Sequence, residues 1–301
     1  MDFVGNKKTV SFLQKSLEKG AFNHAYIFVG PQGVGKTTLA KMFAQAVIAG
    51  EKFNLDTDFQ DKQALLDLIV IEPETVEKKD VIKTRDIPIE AIREAQQKLS
   101  LFPYHGKYKV LIIKDAHRMK SSPQNALLKL LEEPNQTSIL ILVTSELDKI
   151  LPTVQSRCEK LNFSLVTQVE LTQAFGGQPN FEADIPILAM GRPALARQML
   201  ENPEELSLRR ERRQQLEKLR AGSLNEKMQL AEEFSKDTGK ALDTFNAWIW
   251  LLRIDALSNA DEQARNNLYE VIKKIQESMT LLKNTNANGR LLLEVLFIEI
   301  K

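Results

Sequence analysis

Residues Gly30-Pro31-Gln32-Gly33-Val34-Gly35-Lys36-Thr37 satisfy the pattern G-x-x-x-x-G-K-[ST], placed directly after the apolar run Ala25-Tyr26-Ile27-Phe28-Val29. Glycines at these positions let the backbone fold so that successive N–H groups face a phosphate, and the N-terminus of a following helix adds partial positive charge. In such a loop Lys36 reaches the terminal phosphates and the Thr37 hydroxyl ligates Mg²⁺, with Thr38 closing the stretch. The plainer alternative is an ordinary glycine-rich turn. The full pattern between a strand and a helix argues against it. The loop by itself does not separate ATPase, GTPase and kinase chemistry, because all three hold phosphates this way.

A second acidic element has to decide. The apolar run Val110-Leu111-Ile112-Ile113 ends in Lys114-Asp115-Ala116-His117, which puts a carboxylate at the edge of a sheet where such sites lie. Asp115 is a suitable Mg²⁺ partner. Many ATPases of this type carry a second carboxylate immediately afterwards to polarise the attacking water, and here that position is Ala116. Losing a positioned base costs about 10²–10⁴ in rate, so poor hydrolysis of bound ATP is expected. On an extended chain His117 would point to the opposite face from Ala116, which makes it a structural residue rather than a substitute base.

The elements that must position these residues alternate between short β-branched runs and helical patterns, the signature of a parallel sheet with crossover helices on both faces. Five strands are expected: 25–29, 68–71, 110–113, 139–143 and 160–163. Helices are expected over 37–48, 87–101 and 123–133, the last with Ser122 as N-cap, Pro123 at the first helical position and Pro134 beyond its end. After about Phe163 the strand signal stops. Two short helical patterns flank Gly191, Asn202-Pro203 offers a break, and a long helical region runs from Glu204 to the C-terminus. The expected division is an α/β domain over 1–164, a small helical domain over 165–203 and a larger all-α domain over 204–301.

Composition narrows the class. The chain has 301 residues, 43% hydrophobic and 27% charged, the balance of a soluble globular protein of two or three domains. Lys plus Arg number 41 against 40 Asp plus Glu, so the excess of positive charge that marks a direct nucleic-acid binder is missing. The run Leu208-Arg209-Arg210-Glu211-Arg212-Arg213 is basic, but its interleaved glutamate and helical setting favour a solvated helix face. Cys158 is the sole cysteine, which excludes an internal disulfide and a zinc site of several thiolates and fits a reducing cytoplasm. His24 and His105 lack neighbours at metal-ligand spacing. No segment has the apolar length of a secretory signal or of a membrane span, so a soluble intracellular protein is expected.

Taken together, four segments resemble the AAA+ clamp-loader family, and within it most closely the bacterial delta-prime type. They are Asn23-His24-Ala25-Tyr26-Ile27-Phe28 before the loop, the run from Lys107 to Ala116, the helix Asn125-Ala126-Leu127-Leu128-Lys129-Leu130-Leu131-Glu132-Glu133-Pro134, and the triplet Ser156-Arg157-Cys158. The resemblance covers the first domain and continues more weakly to the C-terminus. It implies an AAA+ module, a small helical lid and a helical collar that joins a ring. In that family the arginine of the Ser-Arg-Cys triplet reaches the ATP of the adjacent motor subunit, and Arg157 holds that position; taken alone it reads as a surface arginine. Thr144 matches the first sensor position, although a strand-end threonine needs no function. The second sensor position falls on Ala194, with Arg192 close but out of register. Cys158 reads as a small buried apolar residue. The family's four-cysteine zinc module is absent from Glu51 to Asp67.

The resemblance therefore implies a stator subunit that lends Arg157 to a neighbour. Gly30, Gly33, Gly35, Lys36, Thr37, Thr38, Asp115 and Thr144 would hold ATP or ADP, Thr37 and Asp115 would meet Mg²⁺, and no zinc is expected. The implied partners are the gamma/tau motor and delta subunits of a hetero-pentameric ring and, through that ring, the sliding clamp and primer-template DNA. The competing reading is an active AAA+ ATPase, such as the motor subunit of the same machine. A P-loop kinase is a more distant alternative, for which no acceptor-site motif is present.

Overall fold

The computed structural model describes residues 3–50, 64–78, 81–284 and 288–300. Backbone contacts divide the chain into two compact units, one of residues 1–174 with 191–194, the other of residues 175–190 with 195–301.

The first unit is built on five parallel strands: β1 (Ala25–Val29), β2 (Leu68–Ile71), β5 (Lys109–Ile113), β6 (Ser138–Thr144) and β7 (Glu159–Asn162), in the order β2-β5-β6-β1-β7. A separate antiparallel hairpin joins β3 (Thr75–Lys78) to β4 (Val81–Thr84). Helices α1 (Lys7–Lys19), α2 (Lys36–Ala49), α3 (Ile89–Ser100), α4 (Ser121–Glu132) and the short α5 (Pro152–Gln155) belong to the same unit.

Alternation along each strand feeds two cores, as a parallel sheet covered on both faces requires. Tyr26 and Phe28 of β1 enter one cluster with Leu39, Phe43 and Val47 of α2. Ala25 and Ile27 enter the other with Ile92 and Leu99 of α3 and Leu127 and Leu131 of α4. The five expected strands are all present, with β7 one residue earlier than expected. Helix α4 starts at Ser121 with Lys120 at its N-cap, so the expected cap at Ser122 is corrected. Pro123 still lies in the first turn, where its missing N–H costs nothing. Helix α1 and the β3–β4 hairpin add to the elements expected from the sequence.

Between α3 and β5 the backbone turns under the control of one buried side chain. The Asp67 carboxylate accepts from the N–H groups of Tyr104 (2.7 Å), His105 (2.7 Å) and Gly106 (3.2 Å). Phe102 and Tyr104 of this braced loop are exposed.

The second unit is helical: α7 (Ile185–Leu188), α9 (Pro203–Ala221), α10 (Leu224–Lys236), α11 (Thr238–Ser258), α12 (Glu262–Asn284) and α13 (Gly289–Glu299). Two further helices, α6 (Gln168–Phe175) and α8 (Pro193–Glu201), span the division between units. The break foreseen at Asn202-Pro203 is there, with the Asn202 side chain accepting from Glu204 N–H at 3.0 Å and Pro203 opening α9. Ser223 and Glu226 form a reciprocal capping box at the start of α10. Phe234, Phe245, Trp248 and Phe297 pack ring against ring in the core, and the Trp248 indole N–H donates to the Arg212 carbonyl at 2.7 Å. The basic run lies on α9. Arg209 pairs with Glu205 at 2.7 Å, Arg210 grips Asp184 and Glu182, and Arg212 is buried, so the run is a partly buried, ion-paired helix face rather than the solvated one expected.

Candidate functional site

Adjacent strands β5, β6 and β1 end at one edge of the sheet, and register fixes what meets there. Val29 lies opposite Thr144, and Ile113 opposite Leu142. The loop that leaves β1, the acidic turn that leaves β5 and the threonine that ends β6 are therefore neighbours, as expected for a site at the carboxyl ends of parallel strands.

The loop has the backbone that its glycines allow. Gly30, Gly33 and Gly35 all have positive φ, at 153°, 79° and 93°. At Gly30 a Cβ would lie 2.3 Å from the carbonyl oxygen of Phe163, so the approach to the end of β7 excludes any side chain. The Gly30 N–H donates to the Thr144 carbonyl at 3.2 Å, tying the loop to β6. Lys36 is the first residue of α2 and is buried. Its ammonium donates to the carbonyls of Gly30 and Pro31, each at 2.6 Å. Burial pulls its pKa down to about 8, against the opposing pull of Asp115, and the charge of Arg192 adds to the depression. Thr37 is half-buried and Thr38 exposed.

Asp115 adopts a left-handed backbone (φ 47°) at the head of a short 3₁₀ turn, Ala116 to Arg118. That turn changes two expectations. The Ala116 methyl is fully buried in the cluster with Ile113, Met119 and Leu142, so this position faces the core. His117, expected to turn away from the site, does not follow strand alternation because the chain is no longer extended. Its Nδ1 lies 3.4 Å from Thr144 Oγ1 and its Nε2 lies 3.5 Å from Glu146 Oε1. Burial lowers the His117 pKa, partly opposed by Glu146 and Asp115, which favours the neutral ring. Thr144 is buried, and its hydroxyl donates to the Glu146 carbonyl and accepts from the Glu146 N–H, both at 3.1 Å.

Arg192, set aside on register, comes to the loop as well. A Cβ at Gly33 would lie 3.2 Å from Arg192 Cβ, and the Ala194 N–H donates to the Gly33 carbonyl at 3.1 Å. No spacing in the sequence signals this contact, because residues 33 and 192 meet only through the fold.

Arg157 sits elsewhere, just past α5. Its Nη1 donates to the Thr153 carbonyl at 2.9 Å, and its Nη2 to Glu132 Oε1 at the end of α4 at 2.8 Å. Helix α5 is held from both sides by glutamines. Gln124 donates to the carbonyls of Met119 (2.8 Å) and Lys149 (2.9 Å) and accepts from Leu151 N–H (2.7 Å). Gln155 donates to the carbonyls of Leu147 (2.9 Å) and Ile150 (2.8 Å). Cys158 is mostly shielded, and burial pushes its thiol up to about 12, far from nucleophilic use at neutral pH.

The loop geometry fits a nucleotide phosphate: a backbone turned by glycines of positive φ at 30, 33 and 35, and a lysine whose hydrogen bonds among the described residues go to the loop's own Gly30 and Pro31 carbonyls. Thr37 and Asp115 are the residues that would meet Mg²⁺ if the sequence pattern holds a nucleotide here. Among the described residues no cluster of three or more His, Cys, Asp or Glu could hold another metal. Most of the stretch expected to replace a zinc module, residues 51–63, lies outside the described residues. Among the described residues no helix is long and apolar enough to cross a membrane.

Comparison with known proteins places the chain. The sequence model of the family described as "DNA polymerase III, delta subunit" matches residues 5–167. The DNA polymerase III subunit tau of Bacillus subtilis (strain 168) is 36% identical over 179 residues, which is 60% of this chain and 31% of that protein. The subunit tau/gamma of Haemophilus influenzae is 30% identical over 181 residues, 57% of this chain and 25% of its own. The chain thus matches under a third of the length of these two relatives. Among solved structures, a gamma-subunit-related protein of Thermotoga maritima aligns over 97% of this chain and 100% of its own, with a TM-score of 0.49 and 18% identity. The five-stranded parallel order with the phosphate loop after the fourth strand in line is the AAA+ arrangement. The chain belongs to the DNA polymerase III delta-subunit family, among the AAA+ clamp-loader proteins.

Proposed function

We propose that this chain is the delta-prime-type stator of a bacterial clamp loader, which lends Arg157 to the ATP site of a neighbouring motor subunit during loading of the sliding clamp onto primed DNA. The observation that carries this reading is the environment of Ala116. The position that would hold a water-activating carboxylate is a methyl group buried in the core, while Arg157 stands partly exposed on a braced turn. A guanidinium set against a γ-phosphate stabilises charge in the transition state, and arginine fingers are worth about 10³–10⁵ in related GTPases.

On this reading residues 1–164 are the AAA+ module, 165–203 the lid and 204–301 the collar. The collar joins a hetero-pentameric ring with gamma/tau motor and delta subunits in the cytoplasm. The ring, not this chain alone, meets the clamp and primer-template DNA. Gly30, Gly33, Gly35, Lys36, Thr37, Thr38, Asp115 and Thr144 hold ATP or ADP with Mg²⁺ at Thr37 and Asp115. Bound Mg²⁺ would supply charge neutralisation between phosphates. Lys36 then exchanges the loop carbonyls for phosphate oxygens.

The test is reconstitution with motor and delta-type subunits, comparing wild type with Arg157→Ala. Assembly is expected to survive while DNA-stimulated ATP turnover and clamp loading fall; equal turnover in the two removes Arg157 from the mechanism. A second reading, an active motor ATPase, has Lys36, Thr37 and Asp115 in its favour, along with relatives named tau and gamma. Steady-state turnover by the pure protein, abolished by Lys36→Ala, would establish that reading instead.

A further inference from the structure

We infer that Glu132 is a positioning residue for Arg157, fixing the direction in which the guanidinium is presented to the neighbouring nucleotide. The inference rests on the reading of Arg157 as a finger in trans. It goes beyond that reading in naming the group that aims it.

Arginine has large rotamer freedom, so an arginine on a surface turn points nowhere in particular unless something holds it. Here two groups on different elements do. The Thr153 carbonyl, one helical turn back, takes an Nη1 hydrogen at 2.9 Å, and the Glu132 carboxylate, at the end of α4, takes an Nη2 hydrogen at 2.8 Å. A guanidinium has five N–H donors. With one given to Thr153, one to Glu132 and one, more weakly, to Ser156 Oγ at 3.5 Å, two remain without a partner among the described residues, Nε–H among them. The anchored side chain thus keeps donors for phosphate oxygens without breaking the bonds to Thr153 and Glu132.

Two features set Glu132 apart from an incidental surface partner. It is the last residue of α4, where the negative end of the helix dipole disfavours a carboxylate, so its placement is not explained by the helix. Arg157 supplies the compensating charge. The platform beneath is also rigid: the glutamine contacts of Gln124 and Gln155 hold α5 against the turn before it, so the Glu132–Arg157 pair spans two elements whose spacing is fixed. The pair itself is partly exposed, 36% at Arg157 and 51% at Glu132. Its contribution is therefore to orientation more than to stability, and Glu132 can be replaced without disturbing the fold.

The experiment is DNA-stimulated ATP turnover of the reconstituted assembly carrying wild type, Arg157→Ala, Glu132→Ala, Glu132→Gln or the Arg157→Ala/Glu132→Ala pair. Glu132→Ala is expected to lower kcat roughly 3- to 10-fold with KM for ATP unchanged, because it removes aim and not ground-state binding. Glu132→Gln, which keeps an acceptor oxygen for Nη2, should hold turnover within roughly 2-fold of wild type, and the double variant should match Arg157→Ala alone. Turnover that is unchanged or faster in Glu132→Ala, while Arg157→Ala is slow, would overturn the positioning role and leave the finger standing. Turnover unchanged in Arg157→Ala would remove the finger, and Glu132 with it. A further loss in the double variant would show that Glu132 acts by another route and also overturn the inference.

Discussion

The Lys36 ammonium lies 2.6 Å from the carbonyl oxygen of Gly30, six residues earlier in the same loop. The side chain that reaches a phosphate in this fold is here bound to the backbone of its own cradle, and burial holds its pKa near 8, below the lysine value of 10.5. Between these two values the unfolded chain binds more protons than the folded one, so stability rises with pH across that window. The urea midpoint of the wild type should climb from pH 8 to pH 10 relative to that of Lys36→Met. A difference between the two that stays constant with pH would show that Lys36 does not titrate there.

Restoring the missing carboxylate should fail for a structural reason. Ala116 is fully buried among apolar side chains, so Ala116→Glu would place an unpaired acid in the core, at a cost on the order of 3 kcal/mol. The variant is expected to unfold at lower urea and to release phosphate from ATP no faster than wild type. A gain in turnover would mean that the acidic turn rearranges to present residue 116 to the nucleotide.

Asp67 tests the brace under the exposed loop. Burial by itself would raise its carboxyl, but the N–H groups of His105, Tyr104 and Gly106, with Lys109 nearby, hold it below the usual aspartate value. A depressed folded pKa stabilises above the unfolded value of 3.8, and that stabilisation is lost as pH falls through the folded value. Asp67→Ala strands three N–H donors and should cost about 3 kcal/mol near neutral pH. The gap in urea midpoint between wild type and variant should narrow below about pH 4. A gap of equal size at pH 3 and pH 7 would count against the charge as its source.

Much of the α/β unit was legible because its signals are local. Strand β1 and the phosphate loop are adjacent in sequence, and their chemistry follows from residue types at fixed spacing. The hairpin of β3 and β4 carries little local signal, because its strands are four residues each and mix charged with β-branched positions. The orientation of His117 departs from strand alternation because Ala116 to Arg118 form a 3₁₀ turn, a change that no local period announces.

The sequence by itself determined the parallel sheet, the loop that can cradle a phosphate, the acid at Asp115 and the absence of a second acid beside it. Each depends on neighbours within a few residues, where covalent spacing dictates geometry. Only the tertiary structure decided that Ala116 faces the core, that Arg192 lies beside Gly33, and that Glu132 holds Arg157 from 25 positions away. These are contacts between elements, and they are set by how strands and helices pack, which no local period encodes.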